Sequence, residues 1–226
     1  MLIEQTPKIF RAFFSEVIWQ LPQKEKTVYL TFDDGPIPDV TPFVLELLEK
    51  HAIKATFFCV GDNVCKHPEV FKQVVKAGHQ IGNHTFSHLQ GFKYSTEQYM
   101  ENVEKADLFI NSRLFRPPHG QLRHLQAAKL KEKYDIVLWD VITRDYNRSL
   151  SGEFVADVVR KYARNGSIIV FHDSIKAEKN MKYALPRAID FLVNEGYKFD
   201  VLNPNLFGKK VELISPQENF FSGKAI

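Results

Sequence analysis

Between Thr27 and Leu202, short apolar runs of strand length alternate with stretches of helical periodicity about seven times. Strands are expected at Val28–Leu30 running on to Asp33, at Ala55–Val60, Gln80–Gly82, Leu114–Arg116, Ile136–Trp139, Ser167–Phe171 and Tyr197–Leu202. Helices are expected over Val40–His51 (capped by Asp39), Pro68–Lys76, Thr96–Asn111 and Leu122–Lys133, then from a Ser151 cap to Arg164 and over Met181–Asn194. No linker, repeat or low-complexity stretch breaks the rhythm. This pattern gives a parallel sheet with crossover helices, an α/β fold. In such folds the reactive side chains gather beyond the carboxyl ends of the strands. The polar clusters here sit there: Asp33 and Asp34, His84 and His88, Arg116, Asp145, and His172. A closed or nearly closed barrel brings them into one mouth, where an open doubly wound sheet would scatter them.

The remaining composition narrows the function. At 226 residues and 44% hydrophobic, the chain can bury one sizeable core. Thirty basic against 27 acidic residues give a net charge of +3, and no basic cluster suggests a nucleic-acid surface. Cys59 and Cys65 are too few and too close for a disulfide framework, which points to reduced thiols and a cytoplasmic protein. The apolar stretch Ile9–Trp19 is broken by Arg11 and Glu16 and is shorter than the roughly 20 residues a membrane span needs. It carries no small-residue cleavage site, and Ile9, Phe13, Phe14, Val17 and Ile18 recur at helical spacing. Residues 1–26 are therefore expected to form an amphipathic helix and linker on the barrel, with residues 27–226 as the catalytic domain.

Two adjacent carboxylates at a buried strand end are costly unless a cation meets them. His84 and His88, four apart, lie on one face of a helical turn or on neighbouring sides of a tight loop, and can reach the same ion as Asp34. Such histidine pairs are common in ordinary polar loops; paired with Asp33-Asp34 on another strand end, they point to metal. Three protein ligands with an open position is the pattern of catalytic zinc. Asp33 is then the spare carboxylate, placed to take a proton from water. His172, before Asp173, can act as general acid if a partner holds it protonated, and Asp145 is that partner by charge. Arg116 can orient Asp33 through its fork of donors, and the backbone N–H groups of the His119-Gly120 loop can face an oxyanion.

These motifs resemble the polysaccharide deacetylases of carbohydrate esterase family 4, which include the chitooligosaccharide (NodB-type) deacetylases. The resemblance runs from about Thr27 to the last strand. Thr31-Phe32-Asp33-Asp34-Gly35-Pro36 resembles the first family motif, whose first Asp is the base and second a metal ligand. His84-Thr85-Phe86-Ser87-His88 resembles the second, Arg116-Pro117-Pro118-His119-Gly120 the third, and Phe171-His172-Asp173 the fifth. The resemblance implies a distorted (β/α)7 barrel that removes N-acetyl groups from an acetylated polysaccharide or oligosaccharide. It implies a divalent ion on Asp34, His84 and His88: zinc by ligand type, with cobalt, nickel or manganese also accepted. Asp33 is implied as base, His172 as acid, Arg116 and Asp145 as their partners, and Pro118, His119, Trp139 and Tyr146 as the oxyanion and sugar pocket.

Two departures stand out. His119 occupies the place of a usual Tyr, and the fourth motif reads Ile142-Thr143-Arg144-Asp145-Tyr146, with one Asp and the Trp replaced. Asp140 is a second candidate for the partner of His172. The competing readings are an O-acetyl esterase or small-amide hydrolase on the same site, a catalytically silent carbohydrate-binding domain, and a partner-binding domain. A monomer or weak homo-oligomer with no stable membrane span is expected.

Overall fold

The computed structural model describes residues 4–7, 11 and 17–203. Its organising strand is β1, Thr27–Asp33, buried along its whole length. Strand β7, Ser167–His172, lies parallel on one side, with Asp33 opposite His172. On the other side β2, Thr56–Cys59, pairs with the second half of β1, and β8, Lys198–Phe199, pairs with its start. The sheet continues through β3 (Gln80–Asn83), β4 (Leu114–Phe115) and β5 (Asp135–Ile136) at one end. It ends at β6 (Val141–Ile142) at the other, in the order β5-β4-β3-β2-β1-β7-β6. Every strand pair is parallel, so both faces are covered and the strands read as continuous apolar runs.

Alternation along the strands sorts side chains between two layers. Val28, Leu30, Phe32, Ile169 and Phe171 pack outward into a core shared with the helices, which holds Val44, Leu48, Val155, Val159, Leu185 and Ile189. Tyr29, Phe58, Leu114, Val137 and Ile168 form a second cluster inside the curl. By the same alternation Asp33 and His172 finish their strands pointing into the curl. The crossover helices are α1 (Thr41–Lys50), α2 (Gly61–Lys66), α3 (Pro68–Lys76) and α4 (Thr96–Ile110), then α5 (His124–Leu130), α6 (Gly152–Tyr162) and α7 (Glu178–Asn194). This is the curled α/β barrel expected from the alternation.

The free edges β5 and β6 are bridged by the N-terminal segment. Ile18 donates to Ile136 O (2.8 Å) and accepts from Leu138 N–H (2.8 Å), Leu21 donates to Gly166 O (2.9 Å), and Glu4 O accepts from Ile142 N–H (2.8 Å). Extended chain thus satisfies strand edges that would otherwise be open. The helix expected over 9–19 falls mostly outside the described residues; at its described end Ile18 forms a parallel bridge with Val137 instead.

Several local expectations need correction. Helix α1 is not capped by Asp39: its N-cap is Val40, with no side-chain hydrogen bond. Thr41 Oγ1 accepts the Ile37 N–H (2.8 Å) in that turn. The expected strand 136–139 shortens to β5, which ends at Ile136, β6 lies beyond it, and α2 was not expected at all. The Ser151 cap is present, its hydroxyl accepting the Phe154 N–H at 3.1 Å.

Candidate active site

At the end of β1 the backbone of Asp34 turns into the left-handed region (φ 83°), which swings its carboxylate away from that of Asp33. The His84–His88 segment is a tight loop, not a helix, with Thr85 at φ 63° and His88 at φ 53°. Asn83 Oδ1 holds the Thr85 N–H (2.8 Å) and Thr85 Oγ1 holds the Leu89 N–H (3.1 Å). The two halves meet: Asp34 Oδ1 lies 3.1 Å from His88 Nε2 and 3.8 Å from His84 Nε2. Helix α2 ties them together. Its leading N–H groups, unpaired within a helix, donate to Thr85 O (3.0 Å) and Phe86 O (2.9 Å), and Asn63 Nδ2 donates to Asp34 O (2.7 Å).

The donor chemistry of this cluster fits a divalent ion. His84 Nδ1 donates to Arg116 O at 2.7 Å, which leaves the Nε2 lone pair facing Asp34. Burial holds the His84 pKa down at about 4, so the imidazole is neutral, as a ligand must be. Burial alone would raise the Asp34 pKa, yet His88, His172 and His84 together hold it well below the usual carboxylate range. Asp34 Oδ1 is nevertheless buried with no hydrogen bond of proper geometry, and a buried carboxylate oxygen in that state needs a partner. Asp34, His84 and His88 each offer one atom within 4.8 Å of the others.

Asp33 is held from the opposite side of the curl. Arg116, fully buried, donates from Nη1 to Asp33 Oδ1 and to Thr31 Oγ1, each at 2.7 Å. Its Nη2 donates to Leu138 O (3.0 Å) and its Nε to Val137 O (3.3 Å), and its guanidinium stacks 4.1 Å above the Phe58 ring. All three guanidinium nitrogens are engaged, so Asp33 has one fixed orientation.

His172, at the end of β7, meets Asp145. The imidazole Nδ1 donates to Asp145 Oδ1 (2.7 Å), and Asp145 Oδ2 accepts the His172 N–H (2.8 Å). Burial works against the charged ring, but the Asp145 carboxylate and its hydrogen bond, with Asp34 and Asp33 behind, raise the His172 pKa to about 9. Tyr146 closes edge-on to the His172 ring with centroids 4.9 Å apart. Asp140 does not reach this mouth. It is buried beyond the opposite end of the sheet, where it accepts from Arg164 (2.7 and 2.9 Å), Ser167 Oγ (2.7 Å) and Arg11. Those donors lower its pKa against the effect of burial, and its work is to anchor the N-terminal segment.

The Pro118–Gly120 turn forms the third wall. His119 sits at φ 58° with its ring 4.7 Å from His88, edge to face, and its Nε2 3.3 Å from Gln90 Nε2. Burial lowers the His119 pKa, with His88 adding to the effect. Trp139 lies against Gly120, where any Cβ would fall 2.7 Å from its ring. Sequence reasoning missed Asp173. Its carboxylate takes the Gly35 N–H (3.0 Å) and the Thr41 hydroxyl (2.6 Å), clamping the turn that follows Asp34. Burial pushes its pKa up to about 8, and Asp34 adds to the rise. The signal was its position: a second acid next to a strand-end histidine.

A curled parallel barrel with a carboxylate–imidazole cluster, a guanidinium-held aspartate and an aspartate-held imidazolium in one mouth defines a metal-dependent hydrolase. The polysaccharide deacetylase family model matches residues 20–136, more than half of the chain. The chain belongs to that family, and its characterised relatives are hydrolases that act on N-acetyl groups. A peptidoglycan-N-acetylglucosamine deacetylase of Bacillus cereus is 36% identical over 190 residues, covering 81% of this chain and 89% of that protein. A peptidoglycan-N-acetylmuramic acid deacetylase of Bacillus subtilis is 31% identical, covering 85% and 76%. The crystal structure of a peptidoglycan N-acetylglucosamine deacetylase bound to 4-naphthalen-1-yl-N-oxidanyl-benzamide aligns with a TM-score of 0.82 at 30% identity, covering 91% of this chain and 98% of that one. These relatives overturn the cytoplasmic location expected from the sequence: peptidoglycan is the cell-wall polymer, and enzymes that modify it work outside the cytoplasm. Among the described residues, no helix is long and apolar enough to cross a membrane.

Proposed function

We propose that the chain removes acetyl groups from the N-acetylated sugars of peptidoglycan. The observation that carries this reading is the meeting, in one mouth, of the Asp34–His84–His88 cluster with an Asp33 fixed by Arg116 and a His172 fixed by Asp145. Asp34, His84 and His88 would hold a divalent ion, zinc by donor set, which when bound supplies Lewis acidity towards the acetyl carbonyl and makes water more acidic.

The remaining steps belong to the chain's own side chains. Asp33 takes a proton from the water whose oxygen adds to the acetyl carbon, and Arg116 keeps the receiving oxygen aimed. The backbone N–H of His119 donates to the developing oxyanion. His172 delivers its proton to the sugar nitrogen as the C–N bond breaks, so that acetate and a free amine leave. Tyr146, Trp139 and Pro118 wall the sugar on the acid and oxyanion sides.

The test is acetate release from purified peptidoglycan, with free amines counted in parallel. Activity should vanish on chelation and return with zinc, and cobalt, nickel and manganese should be ranked beside it. Asp33→Asn should keep the metal and lose about 10²–10⁴-fold in rate. Acetate release at the wild-type rate by Asp33→Asn would remove Asp33 as base.

A further inference from the structure

Two lysines flank the site on separate loops, and no catalytic step uses either of them. Lys176, exposed on the loop after His172, holds its ammonium 5.6 Å from the centre of the Tyr146 ring, which itself stands 4.9 Å from the His172 ring. That loop is pinned from outside by Arg148 Nε, donating to Lys176 O at 3.5 Å. Lys93, also exposed, ends the short turn Gly91–Lys93. Gln126 Nε2 fixes that turn through Gly91 O (3.0 Å), and Gln90 attaches it to His119 across the mouth. Neither lysine has a carboxylate within ion-pair distance among the described residues, whereas Glu178, two residues after Lys176 at the start of α7, is taken by Lys182 (2.7 Å). Each lysine also follows an exposed apolar side chain, Phe92 (57% exposed) and Ile175 (59%), which offers the carbon face of a sugar ring something to rest on.

We infer that Lys93 and Lys176 form a cationic rim that selects a glycan carrying a carboxylate on a sugar next to the one being deacetylated. The inference rests on the deacetylase reading and deepens it. An uncommitted ammonium one ring beyond the proton-donating histidine meets a neighbouring sugar, not the acetyl group. A carboxylate there gains a charge-assisted contact that a neutral sugar cannot make. The lactyl carboxylate of a muramic acid residue and the carboxylate of a uronic acid share this chemistry.

The experiment measures kcat/KM for acetate release from four oligosaccharides of equal length. One is neutral poly-N-acetylglucosamine, the second a peptide-free peptidoglycan oligomer, the third that oligomer with its carboxylates methyl-esterified, and the fourth an N-acetylglucosamine–glucuronic acid alternate. The wild type should prefer the free carboxylate over its ester, with the gap closing at high salt as exposed charges are screened. Lys93→Gln and Lys176→Gln should each lower that preference by about two- to fivefold, the range of exposed ion pairs, with the neutral oligomer unaffected as the control for folding. Preference for the glucuronic acid alternate as well would assign the rim to carboxylates in general; preference for the muramic form alone would assign it to the lactyl group. Equal rates on acid and ester, or a double variant that keeps the full preference, would overturn the rim. Failure to release acetate from any of the four would instead overturn the deacetylase reading itself.

Discussion

Replacing Asp145 with Asn tests how the acid is made. In the fold the Asp145 carboxylate accepts from both the His172 ring and the His172 backbone N–H, and it is the main influence that lifts the ring's pKa to about 9. An amide at this place removes the charge and turns one oxygen, which faces a backbone N–H, into a competing donor. The His172 pKa should fall back towards its unperturbed value of about 6.5. At pH 8 the ring is then protonated in only about 3% of molecules against about 90% in the wild type, so amide hydrolysis should drop roughly thirtyfold. At pH 6 both forms carry the proton and the rates should converge to within about twofold. A divalent charge in the mouth pulls both titrations down together, so the quantity to read is the separation between the two alkaline limbs. The assay is the pH profile of kcat for N-acetylated oligosaccharide, run beside an activated acetate ester whose leaving group needs no proton. The ester limb should barely move. If Asp145→Asn leaves the alkaline limb of amide hydrolysis in place, or costs the same factor at pH 6 and pH 8, Asp145 does not tune His172 and the acid lies elsewhere.

Asp34→Ala and His84→Ala should lose bound zinc, measured by metal analysis after gel filtration, while Asp33→Asn should retain it. Arg116→Met leaves Asp33 as an unpaired buried charge and should cost about 3–5 kcal/mol in urea unfolding; adding Asp33→Asn should return much of that stability, and no recovery would mean that the packing of Arg116 on Phe58 carries the cost. Gly35→Ala forces a Cβ to 2.0 Å from Asp173 Oδ2. It should lower stability by about 1–3 kcal/mol, the scale of overpacking, and loosen metal binding through the displaced Asp34, which calorimetric zinc titration would detect. The raised His172 pKa also links to stability: its contribution is fully present below about pH 6.5 and should fade as pH rises through about 9.

The fold, and which side chains meet in the mouth, were legible because two periodicities coincide. Apolar runs of strand length mark β1, β2 and β7, and the polar residue that ends each run marks where the curl opens. Asp33 and His172 could be placed in one mouth from that rule alone, and the sheet register puts them side by side. What could not be read depends on partners far along the chain. Helix α2 begins Gly-Asp-Asn, poor helix formers, and forms where its N–H groups find the carbonyls of the His84–His88 loop. The bridging by Glu4, Ile18 and Leu21 has no strand signature of its own, because each contributes isolated bonds to an edge laid down elsewhere. Asp140 was misplaced for a related reason. The expected strand stops at Ile136, and Asp140 then stands just before β6 instead of after a strand, at the end of the sheet remote from the mouth.

Charge pairing separates the roles of two adjacent aspartates that sequence alone presents as twins. Asp33 meets the Arg116 guanidinium, and Asp145 meets the His172 ring. Asp173 is satisfied by a backbone N–H and a hydroxyl. Asp34 alone of these four faces a pair of imidazoles, one of them held neutral by burial, and it alone keeps a buried oxygen with no hydrogen bond. A carboxylate left in that state among fully paired neighbours is costly unless a cation arrives, whereas a carboxylate already clamped by a guanidinium gains little from one. That difference supports the proposed division of roles, with an added ion on Asp34 and Asp33 left to accept a proton. Exchanging the two roles would require Arg116 to release Asp33, and each nitrogen of its guanidinium is already engaged with Thr31, Asp33, Val137 or Leu138.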